Sequence, residues 1–117
     1  ATQHPPLVCR EFEAEAVAVG GEGADLLSVG LSAMLHLHAL QARVQVMRVF
    51  RKSAEGQMLA VTVLRQGESG QLRLRAEQPL CVDRFASSVA LGSFLLRSRA
   101  HTLARGQVTR LKQLAAR

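Results

Sequence analysis

The stretch E-F-E-A-E-A-V-A-V at residues 11–19 decides the fold. Acids stand at 11, 13 and 15 and apolar residues at 12, 14, 16 and 18, and a period of two belongs to a strand with one face in a core and the other in water. The spacing predicts a strand over residues 10–19. The same reading recurs along the chain. In Ser32–His38, Met34, His36 and His38 share one face and Ala33, Leu35 and Leu37 the other; Ala42–Phe50 alternates Val44 and Val46 with Arg43 and Gln45. Q-L-R-L-R-A at 71–76 sets Leu72 and Leu74 against Arg73 and Arg75, and Pro79 is expected to close that strand. Leu91–Arg99 places Phe94 and Leu96 opposite Ser93, Leu95 and Arg97, and further strands are predicted at Met58–Leu64 and Thr102–Leu111. Gly20–Asp25, Gly30, the polar R-K-S-A-E-G at 51–56 and Gly67–Gly70 read as turns or loops. An amphipathic basic helix over Ala86–Ala100 competes locally, but Gly92 in its middle and the alternation that follows favour the strand.

Six or seven short strands separated by glycine or polar turns argue for an antiparallel barrel or a sandwich, and barrel closure removes the exposed edges that so many strands present. A barrel of this size is filled by side chains, and Phe12, Leu35, Leu37, Val46, Leu72, Leu74, Phe94 and Leu96 are the expected core. The chain of 117 residues is one domain's worth, and 48% hydrophobic with 21% charged residues is the balance of a folding chain. Its net charge of +6 is unevenly placed. Residues 1–41 carry one basic residue against five acids, a balance of −4, and residues 42–117 carry fourteen against four, a balance of +10. The later strands therefore point to an anionic partner, either nucleic acid or an acidic protein face.

Several chemistries lack their residues. No apolar run approaches the roughly 18–20 residues of a membrane helix, and A-T-Q-H-P-P-L-V-C-R has no signal-peptide pattern. Cys9 and Cys81 read as free thiols of a reducing compartment. Neither Lys52 nor Lys112 follows the glycines a phosphate loop requires, and Gly20, Gly21 and Gly23 follow an antiparallel-type strand. His36 and His38, two apart in a predicted strand, could share a metal, but no spacing supplies further ligands, and none is expected. Ser28, Ser32, Ser87 and Ser88 lack a nucleophile-elbow context, so no enzyme activity or catalytic residue is expected of this segment. Arg43, Arg48, Arg73, Arg75, Arg97, Arg99, Arg105 and Arg110 fall in predicted strands and suit phosphates or carboxylates. Four Phe with neither Tyr nor Trp give few stacking platforms for single-stranded RNA, which favours a protein contact or a solvated basic face.

Taken in order, these segments resemble the third domain of the translational GTPases of the elongation factor 1-alpha and EF-Tu class. The resemblance runs from R-E-F-E-A-E-A at 10–16 through V-G-L-S-A-M-L-H-L-H-A at 29–39 and Q-P-L-C-V-D-R-F at 78–85 to L-G-S-F-L-L-R at 91–97 and T-L-A-R-G-Q-V at 102–108. Against the family's Gly-Arg-Phe-x-Leu-Arg-Asp pattern, Gly92, Phe94, Leu96 and Arg97 match, while Ser93 and Ser98 replace the Arg and Asp. His36 and His38 with Leu96–Arg97 are most similar to the branch of the eukaryotic class-II release factor and its sibling, the rescue GTPase that carries Pelota. The resemblance implies a closed six-stranded Greek-key barrel over residues 10–112, with an N-terminal linker at 1–9 and a tail at 113–117. It implies a cytoplasmic translation factor whose GTP and Mg²⁺ belong to a domain upstream of this segment, and no cofactor here. The implied partners are a class-I release factor or Pelota-like protein and the ribosome, with tRNA or rRNA as neighbours and no membrane. Leu95, Arg97 and Arg99 are the expected partner-binding residues; Gly92, Phe94, Leu96, Thr102, Gly106, His36 and His38 are the family's structural positions. Domain three of elongation factor 1-alpha itself, binding aminoacyl-tRNA, and a free-standing RNA-binding barrel are the alternatives.

Overall fold

The computed structural model describes residues 8–20, 27–38, 40–81, 85–86, 89–90, 92–98 and 101–114, the side chains of 112–114 excepted. Its strands are β1 (Val8–Ala18), β2 (Leu27–Ser28), β3 (Ser32–Leu37), β4 (Leu40–Lys52), β5 (Met58–Val61), β6 (Val63–Leu64), β7 (Ser69–Cys81), β8 (Phe94–Ser98) and β9 (His101–Leu114). They pair antiparallel in the order β3-β8-β9-β1-β7-β4, and β4 pairs back onto β3, which closes a six-stranded barrel. Local hairpins join β3 to β4 and β8 to β9, whereas β3–β8, β9–β1 and β1–β7 join strands far apart in sequence. The stretch expected as one strand over Met58–Leu64 divides at Thr62: β5 extends the far end of β4, and β6 forms a separate ladder with β2.

β1 shows why the barrel forms. Phe12, Ala14, Ala16 and Ala18 are all buried, and the intervening side chains face out, as the alternation requires. The eight core residues expected from the sequence are all buried. Phe85, Leu27 and Leu64 join them from outside the alternating segments, and the Phe85 ring meets Phe12 edge-on with centroids 4.9 Å apart. The outward acids of β1 lie between basic strands: Glu13 is opposite Arg73 on one side and Arg110 on the other, and Glu11 is opposite Arg75. Arg73 Nη2 donates to Glu13 Oε2 at 3.0 Å. The negative balance of the first part of the chain is thus inserted among cations of the second.

Further expectations give way to the structure. Arg51 and Lys52, read as the start of a loop, end β4 opposite Leu59 and Met58. His38 does not continue β3; it sits in the two-residue link between Leu37 and Leu40 with φ +47° and is exposed. Tight hairpin links demand positive φ, and His is among the residues that tolerate it. Pro79 does not close its strand, which runs on to Cys81; the β4 ladder ends at Ala76 and the β1 register jumps from Glu11–Arg75 to Cys9–Leu80, so Pro79 lies where no ladder partner needs its missing N–H. Gly70 is in β7 and not in the turn before it. The strand expected over Leu91–Arg99 starts only at Phe94, because Phe85, Ala86, Val89 and Ala90 are helical and Gly92, at φ +151°, ends that turn with its N–H donating to the Val89 carbonyl at 3.3 Å. Helix is therefore present just before the signature, and extended chain within it.

Gly70 and Gly106 both pair with Ala16, one from each side. A Cβ on Gly106 would collide with the Glu15 carbonyl, and one on Gly70 with the Phe50 carbonyl, so these strands coil past each other more closely than any side chain permits. Gly106→Ala should therefore lower stability in urea by more than about 2 kcal/mol, since a backbone carbonyl must move. Glu13→Gln should cost less than about 1 kcal/mol, because the pair with Arg73 is partly solvated, and the loss should vanish in urea melts at high salt.

Candidate docking face

In β8 the sequence F-L-L-R-S alternates strictly: Phe94 and Leu96 are fully buried, Leu95 is 38% exposed and Arg97 is half-buried. Burial of the two flanking side chains holds Leu95 and Arg97 outward. β8 lies between β3 and β9, and the registers on both sides determine what surrounds these two residues. Leu95 is opposite His36 on β3 and Arg105 on β9; His36 is in turn opposite Gln41, and Arg105 opposite Val17. One row across the barrel wall thus reads Gln41, His36, Leu95, Arg105, Val17. The neighbouring row reads Arg43, Met34, Arg97, Thr102.

These rows contain three arginines and the apolar side chains of Leu95, Val17 and Met34, and no carboxylate. Acids border them at two places: Glu77 is held beside Arg43 at 3.8 Å with both side chains more than half exposed, and Glu15 lines a cavity with Val17 and Arg105. The opposite wall differs. There the registers interleave Glu11 and Glu13 of β1 with Arg73, Arg75 and Arg110, and Glu13 pairs with Arg73. Arg43 at the start of β4, Arg97 on β8 and Arg105 on β9 therefore surround an exposed leucine, which is the arrangement of an apolar contact centre with a charged surround. Past Val17 and Arg105 the surface falls into a cavity of about 360 Å³ above Gly70 and Gly106, walled by Lys52 and Met58.

The structure brings Leu95, Arg97, Thr102 and His36 together. It sets His38 apart in its turn, so the two histidines share no face, and Arg99 lies outside the described residues. Gly92 is exposed two residues before β8, and Gly106 is opposite Phe94. Sequence reasoning had Arg43 and Arg105 only as members of a diffuse basic surface and placed Met34 only on a strand face. Their signal was outward alternation, which says which way a side chain points and not which strand adjoins it. Ser87, Ser88 and most of Gly20–Asp25 lie outside the described residues. Among the described residues no three His, Cys, Asp or Glu side chains group as metal ligands, and no helix is long and apolar enough to cross a membrane. Cys9 is buried with its Sγ–H donating to the Glu11 carbonyl at 3.1 Å, and Cys81 is a half-buried free thiol.

Known proteins share this barrel. The family described as GTP-eEF1A C-terminal domain-like matches residues 11–109. Elongation factor 1-alpha of Metallosphaera sedula is 30% identical over 115 residues, covering 95% of this chain and 26% of its own length. The eukaryotic peptide chain release factor GTP-binding subunit of Ogataea pini is 29% identical over 112 residues, covering 92% of this chain and 15% of its own. The crystal structure of sup35 complexed with GMPPNP superimposes with a TM-score of 0.70 at 22% identity, covering 96% of this chain and 28% of that one. The chain spans about a quarter or less of the length of these relatives. With the match covering the barrel from β1 to β9, the chain belongs to the C-terminal domain family of elongation factor 1-alpha-type translational GTPases.

Proposed function

We propose that this barrel is the non-catalytic C-terminal domain of a termination or ribosome-rescue GTPase of the cytoplasm, and that it docks a class-I release factor or a Pelota-like protein through the outer face of β3, β8 and β9. The observation that carries the proposal is the exposed Leu95 beside Arg97 and Arg105 on a wall whose two rows hold no acid. An apolar centre gives an interface its desolvated core, and the cations around it select an acidic counterpart and speed its approach. A partner acting on the ribosome needs such steering, because the surrounding RNA competes for every basic patch. GTP and Mg²⁺ belong, on this reading, to the parent's other domains, and the barrel transmits their state by carrying the docked protein.

A second reading makes the partner aminoacyl-tRNA, as in elongation factor 1-alpha; it is favoured by the 30% identity to the Metallosphaera sedula factor and by the same arginines, which suit phosphates. The readings differ in salt response. A phosphate-dominated contact loses affinity steeply and linearly on a log–log salt plot, whereas a leucine-centred protein contact loses far less.

The parent protein titrated calorimetrically with a class-I release factor, and separately with Pelota, should bind one of them. Arg97→Glu should weaken that complex about 10-fold or more, about 1.4 kcal/mol, and Leu95→Asp should do the same. Both variants should keep the parent's melting profile, and Glu13→Gln on the opposite wall should leave affinity unchanged. Unchanged affinity in both face variants would sink the proposal.

A further inference from the structure

A second concavity lies toward the other end of the β1–β7 ladder, where its register jumps. Between Cys9–Leu80 and Glu11–Arg75, β1 advances two residues and β7 five, so β7 bulges away and Arg10 falls in the irregularity. The result is a niche of about 190 Å³ lined by Arg10, Gln45, Arg75, Ala76 and Glu77. Beside it, where β7 leaves β4 after Ala76, a further cavity of about 260 Å³ takes in Gln41, Arg43 and Gln78.

The polar groups of the niche are unbalanced. Arg10 Nη2 donates to the Glu77 backbone carbonyl at 3.2 Å, but Arg10 Nε is sealed from water with no acceptor. Among the described residues no carboxylate stands within ion-pair distance of Arg10 or Arg75, and Glu77, the acid on the rim, is beside Arg43. A buried donor without an acceptor is rare in folded proteins, and two guanidinium groups lining one small hollow repel each other unless something negative sits between them. Gln45 adds an amide. Two forks and an amide offer more N–H groups than one carboxylate can accept, whereas the oxygens of a phosphate can take them together.

We propose that the niche formed by Arg10, Arg75 and Gln45 binds a phosphate group, which draws the Arg10 guanidinium outward so that its Nε–H gains an acceptor. The site adjoins the β3–β8–β9 face at the Arg43–Glu77 pair but shares none of Leu95, Arg97 and Arg105 with it, and it stands or falls independently of the docking proposal. Glu77 on the rim opposes the anion and keeps affinity modest.

The test is a titration of the ¹⁵N-labelled 117-residue chain with inorganic phosphate at constant ionic strength set by chloride, read at the arginine Nε–H and glutamine side-chain amide resonances. Saturable shifts are expected at Arg10, Arg75 and Gln45. Arg75→Gln should weaken binding about 10-fold or more, and Glu77→Gln should tighten it severalfold, while both keep the backbone amide spectrum of the fold. Ribose 5-phosphate and dimethyl phosphate form two further arms. Saturation by the first alone marks a terminal phosphate as the ligand, and saturation by both a diester backbone. Shifts that never saturate, that persist in Arg75→Gln, or that chloride reproduces would overturn the proposal.

Discussion

β1 lies between β7 and β9, and every later feature of the barrel depends on how its two faces meet those neighbours. Inward, Phe12, Ala14, Ala16 and Ala18 present one large and three small side chains. The small ones let the flanking strands close in until Gly70 and Gly106 pair with Ala16 from either side, with no room for a Cβ on either glycine. Outward, Glu11 and Glu13 stand opposite arginines of strands that occur some sixty to a hundred residues later. The apolar face drives association through burial, and the acidic face keeps two strongly basic strands from repelling one another across the strand between them. A strand with the inner face alone would bury a core and leave its arginines crowded.

From this constraint the charge pattern of the surface follows. Glu11 and Glu13 of the first part of the chain are set among arginines on one wall, and Arg97, Arg105 and Arg43, the last beside Glu77, surface around Leu95. Net charge by itself pointed to a polyanion. The pairing order turns that bulk quantity into a local one, with acids set among arginines on β1 and β7 and, across β3, β8 and β9, an exposed leucine ringed by Arg43, Arg97 and Arg105. The same order explains why positions of the L-G-S-F-L-L-R segment differ: Gly92 ends a helical turn, Phe94 and Leu96 anchor the strand in the core, and Leu95 and Arg97 are held on its outer side.

Much of this was legible in the sequence, and the rest was hidden for physical reasons. Alternation identified the inward residues of β1, β3, β7 and β8 because a period of two is dictated by the pleat alone. Phe85 was not legible, since it reaches the core from a helical turn and no strand pattern surrounds it. His38 read as a strand residue because composition does not mark a two-residue link lacking glycine. Pro79 read as a stop because the sequence does not reveal that both its neighbouring ladders are broken there. Of the candidate face, the outward direction of Leu95 and Arg97 was visible, but that Met34, Arg43 and Arg105 adjoin them follows only from the β3–β4, β3–β8 and β8–β9 registers. Arg10 was hidden for the same reason, its bulge being a property of two strands and not of one.

The central claim is that the wall of β3, β8 and β9 is where the partner sits. Hydrogen–deuterium exchange of the parent protein, alone and bound to a class-I release factor or Pelota, tests it most directly. The account predicts slowed exchange in peptides covering residues 32–43 and 94–105 on binding, with 11–15 and 71–75 unchanged. Protection confined to β1 and β7, with β8 exchanging as in the free protein, would contradict it.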